Sequence, residues 1–342
     1  MKKNFFILIV IIALVLFSTV LLLRLVVPPK SDSGHEAKDA ADAAIILRIG
    51  HDAPPEHSLQ QALLLLQQSL ERQSNGRMRV ELYPYYEAGE DAELVGLTAE
   101  GALQMCLPLS SSLAALPPKD DAAFGLDIPK SWQQWGALDG FFPYADADAA
   151  LAALDGETGA ALKEALADLP GRPLLCLGWA ADGPLNLASS AVEIRRPGDL
   201  SGQKVAVSGS GAWLAAFRKL GAEPQPLSPS EIYPAMMKQQ ASVCQTTPEY
   251  ILSLYVDDYA TSMTLTEHAW AFRPILINRQ WYEDLAAGDA DLLRAVLAEF
   301  MAERAGLADS AYTASIEQLR QRGMQVIELS DAERSLWREA GQ

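Results

Sequence analysis

The chain has 342 residues, 49% of them hydrophobic and 21% charged, with a formal net charge of −17; that length favours two domains with a substantial buried core. Residues 1–27 hold Lys2, Lys3 and Arg24 and no acid, so they carry +3 and the remainder carries −20. A body this acidic repels phosphate backbones, which argues against nucleic acid as a partner.

Lys2 and Lys3 precede an uncharged run, Phe5 to Leu23, in which only Ser18 and Thr19 are polar. About 20 helical residues span a bilayer core of ~30 Å, and the lysines hold their end in the cytoplasm, which puts the rest outside. The run leads into Leu23-Arg24-Leu25-Val26-Val27-Pro28-Pro29, a poor peptidase site. The nearest Ala-x-Ala is Ala41-Asp42-Ala43, and no Cys follows the run to carry a lipid. Residues 1–27 are therefore expected to be an uncleaved signal anchor, a transmembrane helix, with a cleaved signal peptide as the alternative. Residues 28–44, rich in Pro, Ser, Ala and charge, are expected to be a tether.

From Ile45 short apolar runs alternate with helical stretches. Strands are expected at Ile45–Ile49, Met78–Tyr83 and Ala102–Leu107, with helices at Ser58–Gln73 and Asp91–Glu100. A second series begins near Pro173. It has strands at Leu174–Leu177, Leu185–Ala188, Lys204–Val207 and Ala241–Gln245, and helices at Ala212–Leu220, Pro229–Gln239 and Pro248–Tyr255. Two more strands, Ser262–Thr266 and Ala271–Ile277, precede a helix over 289–322 long enough to cross between domains. Two such series joined by more than one crossing segment imply an interdomain cleft, where ligands usually bind.

Several linked segments carry a resemblance. They are Ile49-Gly50-His51 through His57; Glu71-Arg72-Gln73-Ser74-Asn75-Gly76-Arg77-Met78 with Val80-Glu81-Leu82-Tyr83-Pro84; and Gly89-Glu90-Asp91-Ala92-Glu93-Leu94 leading to Gly101-Ala102. Further on stand Arg196-Pro197-Gly198-Asp199-Leu200-Ser201-Gly202-Gln203-Lys204-Val205, Leu220-Gly221-Ala222, Ser230-Glu231-Ile232-Tyr233 and Leu265-Thr266-Glu267-His268. In this order, over about residues 45–340, the chain resembles the solute-binding subunit of tripartite ATP-independent periplasmic (TRAP) transporters, extracellular solute-binding protein family 7. The resemblance implies an α/β fold, a two-domain periplasmic-binding-protein-like clamp with mixed sheets, an interdomain cleft and a long connecting helix. Domain I is expected over 45–178 plus 271–310, and domain II over 179–270 plus 311–342. It further implies a periplasmic protein, here anchored to the inner membrane, that closes on a small-molecule solute and delivers it to TRAP permease membrane subunits. The alternative is a tethered interaction or sensing module that no longer transports.

The family usually clamps organic acids with arginine, whose planar fork binds both carboxylate oxygens. This sequence departs from that pattern. Ala206 in Lys204-Val205-Ala206-Val207, and Ala180 in Gly178-Trp179-Ala180, stand where the family carries arginines. The solute is therefore expected to be neutral, zwitterionic or more apolar than a simple dicarboxylate, or an acid held by backbone N–H groups.

Candidate ligand contacts follow. Ser208-Gly209-Ser210-Gly211 ends a strand and opens a helix; its backbone N–H groups either face an anion or carbonyl, or make an ordinary turn with a serine cap. Trp179, Trp213 and Trp270 are ligand-stacking or core residues. Arg273 lies in an apolar strand and needs a ligand or an ion-pair partner. Asp52, in a loop with His57 around Pro54-Pro55, and Thr247, before Pro248, complete the set. Cys106, Cys176 and Cys244 sit in apolar surroundings, as small buried hydrophobes with at most one disulfide. With four histidines, and no Gly-x-Ser-x-Gly or His-Glu-x-x-His, neither an enzyme, a cofactor nor a metal site is expected. Asp146-Ala147-Asp148 lacks the further ligands of a calcium loop and reads as a loop or helix start.

Overall fold

Leu59, Ala62, Leu63, Leu66 and Leu70 recur at spacings of three and four and are buried along one side of helix α1 (Ser58–Gln73), the stripe an amphipathic helix turns to a core. The His57 side chain accepts from the Leu59 amide at its N-terminus. Beyond its C-terminus Asn75 and Gly76, at φ 54° and 76°, reverse the chain. It then enters β2 (Met78–Tyr83), parallel to β1 (Ile45–Gly50) with Leu47 opposite Val80. The computed structural model describes residues 44–116, 128–171 and 173–341. The expected signal anchor and all of the tether but Ala44 lie outside them. Among the described residues no helix is long and apolar enough to cross a membrane.

Helix α2 (Asp91–Glu100) starts with a Glu90–Glu93 capping box and stops at Gly101, φ 83°. After it come β3 (Met105–Cys106), α3 (Ser110–Ala114), a 3-10 helix (Lys130–Leu138), α4 (Ala147–Asp155) and α5 (Glu157–Ala167). Asp146 caps α4 by accepting from the Ala149 amide, a helix start. The second half comprises β4 (Leu174–Ser189), β5 (Lys204–Val207), α6 (Gly211–Lys219), β6 (Glu223–Pro226), α7 (Pro229–Met237), β7 (Val243–Thr246) and α8 (Pro248–Ser253). It closes with β8 (Ser262–Asn278), α9 (Arg279–Glu283), α10 (Ala287–Gln321), β9 (Gln325–Glu328) and α11 (Asp331–Gly341). The strands form one mixed sheet, ordered β2-β1-β3-β8-β4-β7-β5-β6, with β9 on β8. Pro224 and Pro226, which cannot donate to a ladder, sit on its edge strand β6.

The largest difference from expectation is in β4 and β8. Each reads as two short strands; each is one continuous strand, paired antiparallel to the other along nearly its whole length. The interruptions are bulges. Asp182-Gly183-Pro184 has the composition of a turn, yet Gly183, at φ 103°, only shifts the register between Ala181 and Gly183. Glu267, at φ 46°, interrupts β8 in the same way. Within the expected strand over 102–107 only Met105–Cys106 pairs. Helices α4, α5 and α11 and the short strands β6 and β9 were not anticipated.

Helix α10 is 35 residues long, about 50 Å at ~1.5 Å per residue. It packs on α1, then β4, then α8 and β9. Gly178 permits the approach to β4, since a Cβ there would collide with Met301. The three cysteines are unpaired.

Where β4, β8 and α10 meet, charge is buried. Asp182 of β4 accepts from Arg273 of β8 at 2.9 Å and from Arg304 of α10 at 2.8 Å, all three inaccessible or nearly so. Arg273 also reaches Asp52 at 2.7 Å, the Leu107 carbonyl at 2.8 Å and the Tyr250 hydroxyl. Burial opposes ionisation of Asp182, but Arg273 above all holds its carboxyl far below the usual range. Breaking such a group leaves uncompensated buried charge, so Asp182→Asn is expected to destabilise the chain by about 3–5 kcal/mol. A lowered urea midpoint would report it, and a loss under ~1 kcal/mol would show that the network does not hold these elements together.

Candidate ligand cleft

Two cavities adjoin between the β1–β3 half of the sheet and the β5–β7 half, and share Ser208 and Pro229 in their walls. The inner one is narrow, about 40 Å³, and is walled by residues from both halves, among them Ser110, Asp139, Trp213, Tyr250 and Trp270. The outer one measures about 310 Å³ and is bordered by Asp52, Tyr86 and the first turn of α2 on one side and by Ser208 and Ser228 on the other.

Four of the sequence-predicted residues, Ser208, Trp213, Thr247 and Trp270, line the inner cavity, and Asp52 and Ser208 line the outer one. Ser208 directly follows strand β5, and its hydroxyl has no hydrogen-bond partner. Trp213 is buried on α6 against Phe141, Phe217 and His268. Thr247 caps α8 by accepting from the Tyr250 amide. Trp270 is half-buried on β8 opposite Pro184.

The other three occupy different surroundings. Ser210 caps α6, accepting from the Ala212 amide at 3.2 Å and donating to Asp139. Trp179 packs on Trp135, with ring centroids 5.6 Å apart, in a core cluster, and lines neither cavity. Arg273 is fully buried, lines neither cavity and spends its donors on the network described above. It stands opposite Ala180 in the β4–β8 register, yet its charge is consumed by Asp52 and Asp182.

Asp139 could not be picked out of the sequence. Its carboxylate accepts from the Ser210 hydroxyl, the Ser210 amide and the Trp213 side chain. The anion suggested by the Ser-Gly-Ser-Gly turn at the start of α6 is thus supplied by the protein itself. Burial nonetheless pushes this carboxyl up from 3.8 to about 7. Asp91 accepts from the Leu109 amide at 3.0 Å and is also pushed up to about 7, first by burial and then by the charge of Asp52. Three carboxylates make hydrogen bonds from one side of the cleft to the other: Asp139 to Ser210, Glu90 to Ser228 and Ser230 at 3.1 and 2.6 Å, and Glu249 to Ser58 at 2.6 and 2.8 Å. Among the described residues no arginine, lysine or histidine lines either cavity.

The model for "Bacterial extracellular solute-binding protein, family 7" matches residues 49–342. The chain belongs to this family. Like the proteins it resembles, it is a TRAP-type solute-binding protein, and the family is one of transport proteins. The chain is 23% identical to the C4-dicarboxylate-binding periplasmic protein of Rhodobacter capsulatus over 296 residues, 86% of this chain and 84% of that one. It is 25% identical to the 2,3-diketo-L-gulonate-binding periplasmic protein of Escherichia coli over 244 residues, covering 71% and 69%. Among solved structures, a TRAP periplasmic solute-binding protein from Pseudomonas aeruginosa with bound L-malate superposes with a TM-score of 0.77 at 19% identity, covering 87% of this chain and 97% of that one. The sugar acid binding protein of Advenella mimigardefordensis in complex with galactonate gives 0.77 at 21%, covering 87% and 90%. The fold is thus the α/β two-domain periplasmic-binding-protein fold with a mixed sheet.

The raised Asp139 carboxyl gives a pH-dependent prediction. The folded chain holds this proton more tightly than the unfolded chain, so the group subtracts stability as pH rises from about 4 to about 7. Asp139→Asn removes that loss. Its melting temperature relative to the unmodified chain is expected to rise between about pH 4 and about pH 7 and to level off above that. A flat difference across that range would place the titration elsewhere.

Proposed function

We propose that this protein is the extracytoplasmic carrier of a TRAP-type secondary transporter. It captures a small solute in the cleft between a domain of residues 45–178 plus 271–310 and a domain of residues 179–270 plus 311–342. Closure buries the solute, and the closed form is what the permease subunits recognise. The single observation that carries this reading is the pair of adjoining cavities, walled from both halves of the sheet and bridged by carboxylate–serine hydrogen bonds. Relatives of the same fold that hold malate or galactonate support it.

The ligand contacts put forward are Asp52, Ser208, Trp213, Thr247 and Trp270 in the cavity walls, with Ser210 positioning Asp139. Arg273 and Trp179 act at one remove, by fixing the crossing strands. The test is a thermal-shift screen of the full-length chain against acids, amino acids, sugars, amines and aromatics. A bound solute raises stability by mass action, ~2.7 kcal/mol at a hundredfold excess over its dissociation constant. Silence across all classes would favour the second reading, a tethered interaction or sensing module.

The carrier is held at the periplasmic face of the inner membrane by residues 1–27. The basic start and the uncharged run Phe5–Leu23 support this. The intact mass of the protein recovered from the membrane fraction is expected to include residues 1–27. A mature protein beginning downstream of Ala43, in the soluble fraction, would show that the segment is cleaved.

A further inference from the structure

The cleft carries the wrong charge for an acid. Its two cavities are bordered by Asp139 and Asp182 on the inner side and by Asp52, Glu90, Asp91 and Glu93 on the outer side. Arg273 and Arg304 neutralise Asp52 and Asp182. The remaining four, Glu90, Asp91, Glu93 and Asp139, have no ion-pair partner among the described residues. An organic acid entering here would meet Glu90 and Glu93 at the outer cavity and would further oppose ionisation of the buried Asp91 and Asp139 carboxyls, with no arginine or lysine in the wall to offset it.

Hydrogen bonding points the same way. Asp52 is 1% exposed and Asp91 7% exposed, yet Asp52 Oδ2 and Asp91 Oδ1 lack any hydrogen-bond partner. Both residues border the outer cavity, as do the unpartnered hydroxyls of Ser208 and Tyr86. Buried polar atoms are almost always paired. Asp52, ion-paired with Arg273, only accepts at its free oxygen. The Asp91 carboxyl, which burial holds toward its neutral form, becomes a pure acceptor once a cation beside it displaces its proton, so a cationic donor satisfies both oxygens. Beside them the inner cavity offers Trp213, Trp270 and Tyr250, aromatic surface suited to an alkyl chain or the face of a cation.

We infer that the solute is a small organic cation bearing N–H donors, an amine or amidinium compound, whose charged end lies beside Asp52 and Asp91 and whose carbon body extends toward Trp213 and Trp270. This rests on the carrier reading and narrows it to a ligand class opposite in charge to the acids bound by the relatives above. An N–H-bearing ammonium satisfies the two free carboxylate oxygens and compensates the unpaired charge around them. A quaternary ammonium would supply the charge without the donors, and so should bind more weakly.

The test is isothermal titration of the full-length chain, in mild detergent at low salt, with putrescine, agmatine, choline, L-malate, D-galactonate and D-glucose. Putrescine or agmatine is expected to bind at least tenfold more tightly than choline and the acids. Its affinity should fall at least tenfold in Asp91→Asn, with the fold of the variant checked by its unliganded melting curve. If that variant does not fold, the unmodified chain still decides the matter: binding of a cation must weaken as salt is raised, whereas binding of glucose must not. Binding of malate, galactonate or glucose without the amines would overturn the inference and leave the carrier reading standing. Amine binding that neither Asp91→Asn nor salt weakens would also overturn it. No binding by any of the six overturns the inference, while the carrier reading falls only if the wider screen is silent too.

Discussion

Two guanidiniums and two carboxylates, all buried, sit where the long elements of this fold cross. Asp182 lies between Arg273 and Arg304, and Arg273 reaches on to Asp52. The charges cancel within the group, so none of them can be removed without stranding another in a low-dielectric interior. The residues come from the loop after β1, the middle of β4, the middle of β8 and the middle of α10, so one ionic cluster fixes four segments against one another. Tyr250 of α8 joins through its hydroxyl, and His57 packs on the Tyr250 ring at 4.6 Å. The interruptions in β4 follow from this arrangement: the bulge at Asp182-Gly183 falls where the strand delivers its carboxylate to both arginines.

The same network decides what the cleft can offer. Arg273 faces the position of Ala180 across the ladder, yet its donors are occupied and its charge is cancelled before it reaches the cavities. Asp139 then takes the amide at the start of α6, the kind of position that otherwise receives an anion. What remains in the walls is carboxylate, hydroxyl and indole. A family fold shared with acid-binding proteins is thereby combined with cavity walls that hold carboxylates and, among the described residues, no basic side chain, which is why fold alone does not assign the ligand.

Much of the first half was legible because its signals are local. The leucine stripe of α1, the Asn75-Gly76 turn, the alternation of Met78–Tyr83 and the capping box of α2 each depend on residues a few positions apart, and each element lies where expected. Strands β4 and β8 were misread for a complementary reason: Asp-Gly-Pro is a turn by composition, and only the neighbouring strand makes it a bulge. The indole positions were equally ambiguous. Trp179 and Trp213 are both buried tryptophans in apolar segments, and only their neighbours separate a core ring packed against Trp135 from one bordering the cavity.

By itself the sequence determined the α/β alternation, the acidic body, the basic apolar start and the absence of arginine at 180 and 206, since all of these are properties of composition and short spacing. Tertiary structure alone decided where the charges meet. Asp139 and Ser210 are 71 residues apart, Asp182 and Arg304 122 apart, and Asp52 and Tyr250 198 apart. No periodicity links such pairs. A carboxylate's role depends on whether a guanidinium or a cavity lies beside it, and folding is what puts one or the other there.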